Sequence, residues 1–144
     1  MDKNFPQSDA MELAYKFNDE KLTNIAKYGC CAFTALWIMG ITESITAISI
    51  LAEEIGKGLE NDCTVKWFDF FKNVSGREIS VEFRDIKKLL DVANVKDRCA
   101  VRFDYNGKSH WVGIENGKIA FNSLKTSQCV TLGKPTKARI IKFK

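Results

Sequence analysis

The stretch from Arg98 to Ser123, RCAVRFDYNGKSHWVGIENGKIAFNS, carries the strongest fold signal in the chain. Its runs CAVRFDY, HWVGIE and KIAF are separated by Asn106-Gly107 and Asn116-Gly117. Asn-Gly between β-type runs predicts a hairpin, because both residues tolerate the positive φ that a tight turn demands. Downstream, CVTLG (129–133) and ARIIKFK (138–144), punctuated by Gly133, continue the β reading to the end of the sequence. Upstream the pattern is helical. SDAMELAYKFNDE (8–20) opens with the capping residues Ser8 and Asp9 and sets Met11, Leu13, Ala14 and Phe17 near one face. LTNIAKYG brings the chain to Gly29, a natural break.

CCAFTALWIM (30–39) is an uncharged run ended by Gly40, and it predicts a buried helix beginning at Cys30. Thr42 opens another helix through TESITAISILAEEIGKG, and WFDFFKNV (67–74) predicts a short one. ISVEF (79–83) reads as a brief strand and RDIKKLLDVA (84–93) as a further helical piece. The expectation is one α+β domain over residues 1–144, helix-rich over about 8–95 and strand-rich over about 98–144, with helices packed on an antiparallel sheet.

Composition narrows the function classes. The 144 residues are 45% hydrophobic, enough for a sizeable core without staples. A net charge of +4, from 22 Lys and Arg against 18 Asp and Glu, is mild and spread along the sequence, which argues against a nucleic-acid partner. The basic end KPTKARIIKFK, with Lys134, Lys137, Arg139, Lys142 and Lys144, reads as a terminal strand at a solvated, aggregation-resistant sheet edge. No apolar run approaches the ~18 residues that span a bilayer, and the first 25 residues show no secretory pattern, so a cytoplasmic protein without a membrane partner is expected. Five cysteines, odd in number and including the adjacent Cys30 and Cys31, suit free thiols better than a disulfide framework. With no CxxC and one histidine remote from every cysteine, neither zinc nor another cofactor is expected. Nothing in the sequence sets an oligomeric state.

Free thiols and a single histidine raise the question of nucleophilic chemistry. A thiol has an ordinary pKa of about 8.5 and becomes useful when a helix N-terminus or an imidazole favours the thiolate. Cys30 stands at the predicted start of the buried helix, and His110 opens the strand HWVGIE. The imidazole needs an acceptor that fixes its tautomer, and Asn122 is the candidate. If Glu115-Asn116-Gly117 forms a three-residue loop, His110 pairs with Asn122 on one face, Cβ atoms about 5 Å apart, and Trp111 pairs with Phe121 on the reverse. If Asn116-Gly117 forms a two-residue turn, His110 faces Ser123 and Asn122 points away. Each residue also has a plainer reading: a buried small hydrophobe for Cys30, a packed ring for His110, a turn cap for Asn122.

Taken together these segments resemble the papain family. There the nucleophile Cys is followed by Trp-Ala-Phe-Ser-Ala on a central helix. Residues 30–35, CCAFTA, match at Ala32, Phe33 and Ala35, with Thr34 for serine and Cys31 for tryptophan. The family's downstream histidine at a strand start and its Asn-Ser pair fall on His110 and Asn122-Ser123. Its oxyanion glutamine, six residues before the nucleophile, falls on Asn24, which is shorter but carries the same donor group. The chain is also similar to compact bacterial relatives, such as double-glycine leader peptidases, that read Cys-Gly-Pro-Thr-Ala-Leu. On that pattern Cys31, followed by Ala32-Phe33-Thr34-Ala35-Leu36, becomes the nucleophile; Cys30 keeps the preceding Gly29 and the upstream Asn24. The resemblance implies a papain-like α+β fold with the nucleophile on the central helix, and a Cys30–His110–Asn122 triad cleaving an amide or peptide bond in a peptide or protein substrate. The alternative is a catalytically silent papain-like module that binds a peptide or protein partner.

Overall fold

The computed structural model describes residues 5–144. Helices α1 (Pro6–Phe17), α2 (Glu20–Tyr28), α3 (Cys30–Ile38), α4 (Ser44–Glu54) and α5 (Trp67–Ser75) come first. Strand β1 (Ile79–Asp85), a 3-10 turn (Leu89–Val92), β2 (Cys99–Tyr105), β3 (Lys108–Glu115), β4 (Lys118–Phe121), α6 (Gln128–Leu132) and β5 (Lys134–Phe143) follow. The protein is α+β, and its five strands form one antiparallel sheet in the order β1-β5-β2-β3-β4. β1 therefore joins the C-terminal sheet through β5, which lies between β1 and β2 and is an interior strand, not the edge its alternating lysines suggested. Among the described residues no helix is long and apolar enough to cross a membrane.

Helix boundaries follow local chemistry. α1 starts at Pro6, whose fixed φ suits the first helical position, so Ser8 and Asp9 lie inside the helix rather than capping it. Asn18 ends α1 in the left-handed region at φ 51°. Asp19 then caps α2 by accepting a hydrogen bond from the Leu22 N–H at 2.9 Å, and LTNIAKY belongs to this helix. α4 opens at Ser44, two residues later than Thr42 suggested, because the Glu43 carboxylate accepts from the Ile45 and Thr46 N–H groups. Two expectations are corrected. RDIKKLLDVA gives only the 3-10 turn, since Arg84 and Asp85 extend β1 and Asp91 binds the Lys87 and Lys88 main chain. CVTLG is helical, not a strand: Gln128–Leu132 makes one turn stopped at Gly133, and Cys129 is packed on the sheet.

The sheet has two unlike faces. One carries Ile79 and Ile141 into a core with α1–α5 that includes Ile25, Phe33, Leu36, Leu51, Phe70 and Phe71. The other carries Val101, Phe103, Val112, Ile114 and Ile140, covered by Val92 of the 3-10 turn and Cys129 of α6. α3 meets the first face through Gly113, where a Cβ would come within 2.5 Å of the Trp37 ring. Trp37 in turn stacks on Phe121, with centroids 5.9 Å apart and planes 14° from parallel. Arg98 fastens the C-terminal end of α3: its Nη1 donates to the Trp37 carbonyl at 2.7 Å, and its guanidinium lies 4.4 Å from the Trp37 ring centroid.

Candidate active site

His110 and Asn122 meet: His110 Nε2 lies 2.7 Å from Asn122 Oδ1. The two residues meet as the three-residue loop expected, but by neither of the registers weighed from the sequence. Asn116 and Gly117 take φ values of 54° and 74°, a two-residue turn, and Glu115 pairs with Lys118 and Ile114 with Ile119. Continued unchanged, that register would turn Asn122 away from His110. A β-bulge intervenes: Gly113 pairs with Phe121, so Ala120 is an extra residue on β4. The added residue reverses the parity and returns Asn122 to the side of Val112 and His110. The expected three-residue loop is thus corrected to a two-residue turn plus a bulge. The expected Trp111–Phe121 pairing is also corrected, because Phe121 lies opposite Gly113 and stacks on Trp37, while Trp111 carries the Arg139 guanidinium 5.2 Å from its ring centroid.

The hydrogen bonds around Asn122 fix the tautomer of His110. The Leu124 N–H donates to Asn122 Oδ1 at 3.0 Å, which identifies that atom as the carbonyl oxygen. Oδ1 can only accept, so His110 Nε2 is the donor and Nδ1 of the neutral ring holds the free lone pair. The ring is 3% exposed. Burial holds its pKa below the ordinary 6.5, against the opposing pull of the Asn122 hydrogen bond. Ser123 anchors the segment from the other side. Its Oγ donates to Gln7 Oε1 at 2.7 Å, the Gln7 N–H donates to the Ser123 carbonyl at 2.9 Å, and Gln7 Nε2 donates to the Ala26 carbonyl at 2.9 Å. Gln7 thus ties the Asn122 segment to α1 and α2. A buried glutamine leaves no periodic signal in the sequence, and it passes unnoticed there.

Cys30 is the first residue of α3, as its position after Gly29 predicted. Gly29 is obligatory in this packing, because a Cβ would collide with the Ile25 carbonyl and approach the Phe33 ring at 3.2 Å. Cys30 lines a cleft with Ser109 and Trp111 of β3, a length that β4 does not pair, since the β4 partners are Gly113 to Glu115. Burial raises the Cys30 pKa, while main-chain hydrogen bonds from Trp111, Cys31 and Cys30 itself lower it. The nucleophile candidate shares its cleft with Ser109 and Trp111, the residues on either side of His110. Cys31 is also half-buried but packs against the helical core, and burial, then the Cys30 charge, push its pKa further up, opposed by Arg139.

Both thiols open on a cleft of about 380 Å³ walled by Tyr28, Cys63, Trp67, Trp111 and Arg139. The loop at 60–64 forms one side. Asp62 Oδ1 accepts from the Thr64 N–H and Oγ1, which holds its carboxyl below the usual range, and Cys63 is fixed at φ 64°. Asn24, the expected oxyanion donor, supports this loop, as its Nδ2 donates to the Asn61 carbonyl at 3.1 Å. Among the described residues no three His, Cys, Asp or Glu side chains gather in a way that could hold a metal ion. Compared with protein-family models, curated proteins and solved structures, the chain matches none.

Proposed function

We propose that the protein is a thiol hydrolase with a papain-like arrangement, cleaving an amide or peptide bond through Cys30, His110 and Asn122. The observation that carries this reading is the 2.7 Å bond from His110 Nε2 to Asn122 Oδ1, which leaves Nδ1 as the base, together with a cleft that Cys30 shares with Ser109 and Trp111, the two neighbours of His110. The raised thiol and lowered imidazole pKa both favour a neutral pair at rest. His110 Nδ1 then takes the thiol proton as the sulfur attacks, the S–C bond forms, and the carbonyl electrons move to oxygen. Collapse of the adduct breaks the C–N bond, and His110 returns the proton to the departing amine. Water, deprotonated by the same nitrogen, attacks the thioester and releases the acid and the Cys30 thiol. The main-chain N–H of Cys30 is the oxyanion donor of this reading, and Asn24 joins it if a ligand displaces its bond to Asn61.

A silent peptide-binding module is the second reading. It is favoured by the raised pKa of Cys30 and by the engagement of the Asn24 amide elsewhere. A limiting amount of iodoacetamide, applied from pH 6 to pH 9 with the adduct mapped, separates the two. Hydrolysis requires selective labelling of Cys30 whose rate falls in His110→Ala; removal of such a base costs ~10²- to 10⁴-fold in turnover. Slow, uniform labelling of all five cysteines rejects the hydrolase. Labelling at Cys31 moves the nucleophile by one residue.

A further inference from the structure

We propose that Arg139 makes the inner wall of the Cys30 cleft a carboxylate-binding subsite, so that the peptides entering this cleft carry a carboxylate close to the bond presented to Cys30. The inference deepens the hydrolase reading by naming a substrate class for the same site.

Arg139 projects from β5 onto the helical face of the sheet, opposite Phe83 of β1 and Ala100 of β2. Its guanidinium lies between two rings, 4.5 Å from the Phe83 centroid and 5.2 Å from the Trp111 centroid, so its orientation is set before any ligand arrives. The neighbouring cations on this face are neutralised: Arg102 pairs with Asp104 at 3.1 Å and Lys137 with Asp85 at 2.7 Å. Arg139 is not. Among the described residues no carboxylate makes an ion pair with it, and its one side-chain hydrogen bond runs from Nη1 to the Ala138 carbonyl at 3.2 Å. Burial disfavours its charge; Cys31 and, from beyond ion-pair distance, Asp85 oppose that, while Arg102 adds to it. A partly buried guanidinium with most of its donors unused attracts a planar, two-oxygen acceptor. The cleft carries Lys27 and Arg139 against Asp62, one positive charge in excess, and the ionised Asp62 disfavours a doubly charged anion. A single carboxylate fits, supplied by a free C-terminus or by an acidic side chain.

The test compares anionic iodoacetate with neutral iodoacetamide as alkylating agents for Cys30 in the full chain, each rate referred to mercaptoethanol. The iodoacetate-to-iodoacetamide ratio at Cys30 is expected to exceed the small-thiol ratio about fivefold, the effect of one partly screened neighbouring charge. It returns to the small-thiol value in Arg139→Gln and is retained in Arg139→Lys. The wild-type ratio alone carries the test if Arg139→Gln does not fold. Three competitors distinguish the source of the carboxylate: acetyl-Ala-Ala with a free C-terminus, acetyl-Ala-Glu-amide, and the neutral acetyl-Ala-Ala-amide. Stronger protection of Cys30 by one of the first two is the expected result. A wild-type ratio equal to that of the small thiol, or equal protection by all three peptides, overturns the proposal. His110→Ala slows both reagents alike and leaves the ratio unchanged, so loss of the hydrolase reading and loss of the subsite are separately visible.

Discussion

The two faces of the sheet are built to different depths. Five helices bury the first face under side chains as large as Phe33, Phe70 and Phe71, whereas a 3-10 turn and a five-residue helix cover the second with Val92 and Cys129. The candidate site draws on both. Cys30 belongs to the deep side, through α3. His110 shares the alternation of Val112 and Ile114 and belongs to the shallow side. Ser109 and Trp111, which flank His110 on β3, line the same cleft as Cys30, so the thiol is positioned by a rigid core and the imidazole by a local hydrogen-bond chain. Precision in the thiol comes from packing, and precision in the ring comes from Asn122, Leu124, Ser123 and Gln7.

Mutations can test that division of labour. The largest stability loss is expected on the deep side: Phe33→Ala should cost about 4 kcal/mol in urea unfolding and Val92→Ala about 2 kcal/mol. Equal costs would mean that the two faces contribute alike. Gly113→Ala, which sets a methyl group against Trp37 at the α3–β3 contact, should cost about 2 kcal/mol by the same measurement. Asn122→Ala leaves the buried His110 Nε2 and the Leu124 N–H without their acceptor, at about 1–3 kcal/mol, and lowers the His110 pKa further, measurable by NMR titration. An unchanged His110 titration would detach the ring from Asn122. The smallest effect is in pH. A histidine whose folded pKa lies below its unfolded value binds more protons when unfolded, so its contribution is complete above pH 6.5 and is lost as pH falls from there through the lower folded pKa. The urea midpoint should therefore drop between pH 7.5 and pH 5, and His110→Gln should flatten the drop.

What the sequence disclosed follows the same division. The deep side is written in periodicity: the uncharged run at 30–39, the aromatic cluster at 67–74 and the alternating β2, β3 and β5 all appear as structured elements. The shallow side is written in short pieces whose period is ambiguous. CVTLG is too brief to separate a strand from one helical turn, and the bulge at Ala120 lies in an unremarkable KIAF. His110 and Asn122 were brought together in the sequence by an incorrect register, and they meet in the structure by a different one. Arg139 appeared only as one cation in a basic terminus, because its place on the sheet depends on Asp85 and Asp104, residues distant in sequence whose ion pairs go to its neighbours Lys137 and Arg102.

The bulge at Ala120 makes the site unusually sensitive to chain length. Deleting one residue there would straighten β4 and keep the Asn116-Gly117 turn, yet it would send Asn122 to the opposite side of the sheet from His110. In genetic terms, a single-codon deletion in this short strand would separate the imidazole from the Asn122 amide without altering any residue of the proposed triad. A deletion scan of residues 118–121 would therefore register the loss before a substitution scan of the same positions does.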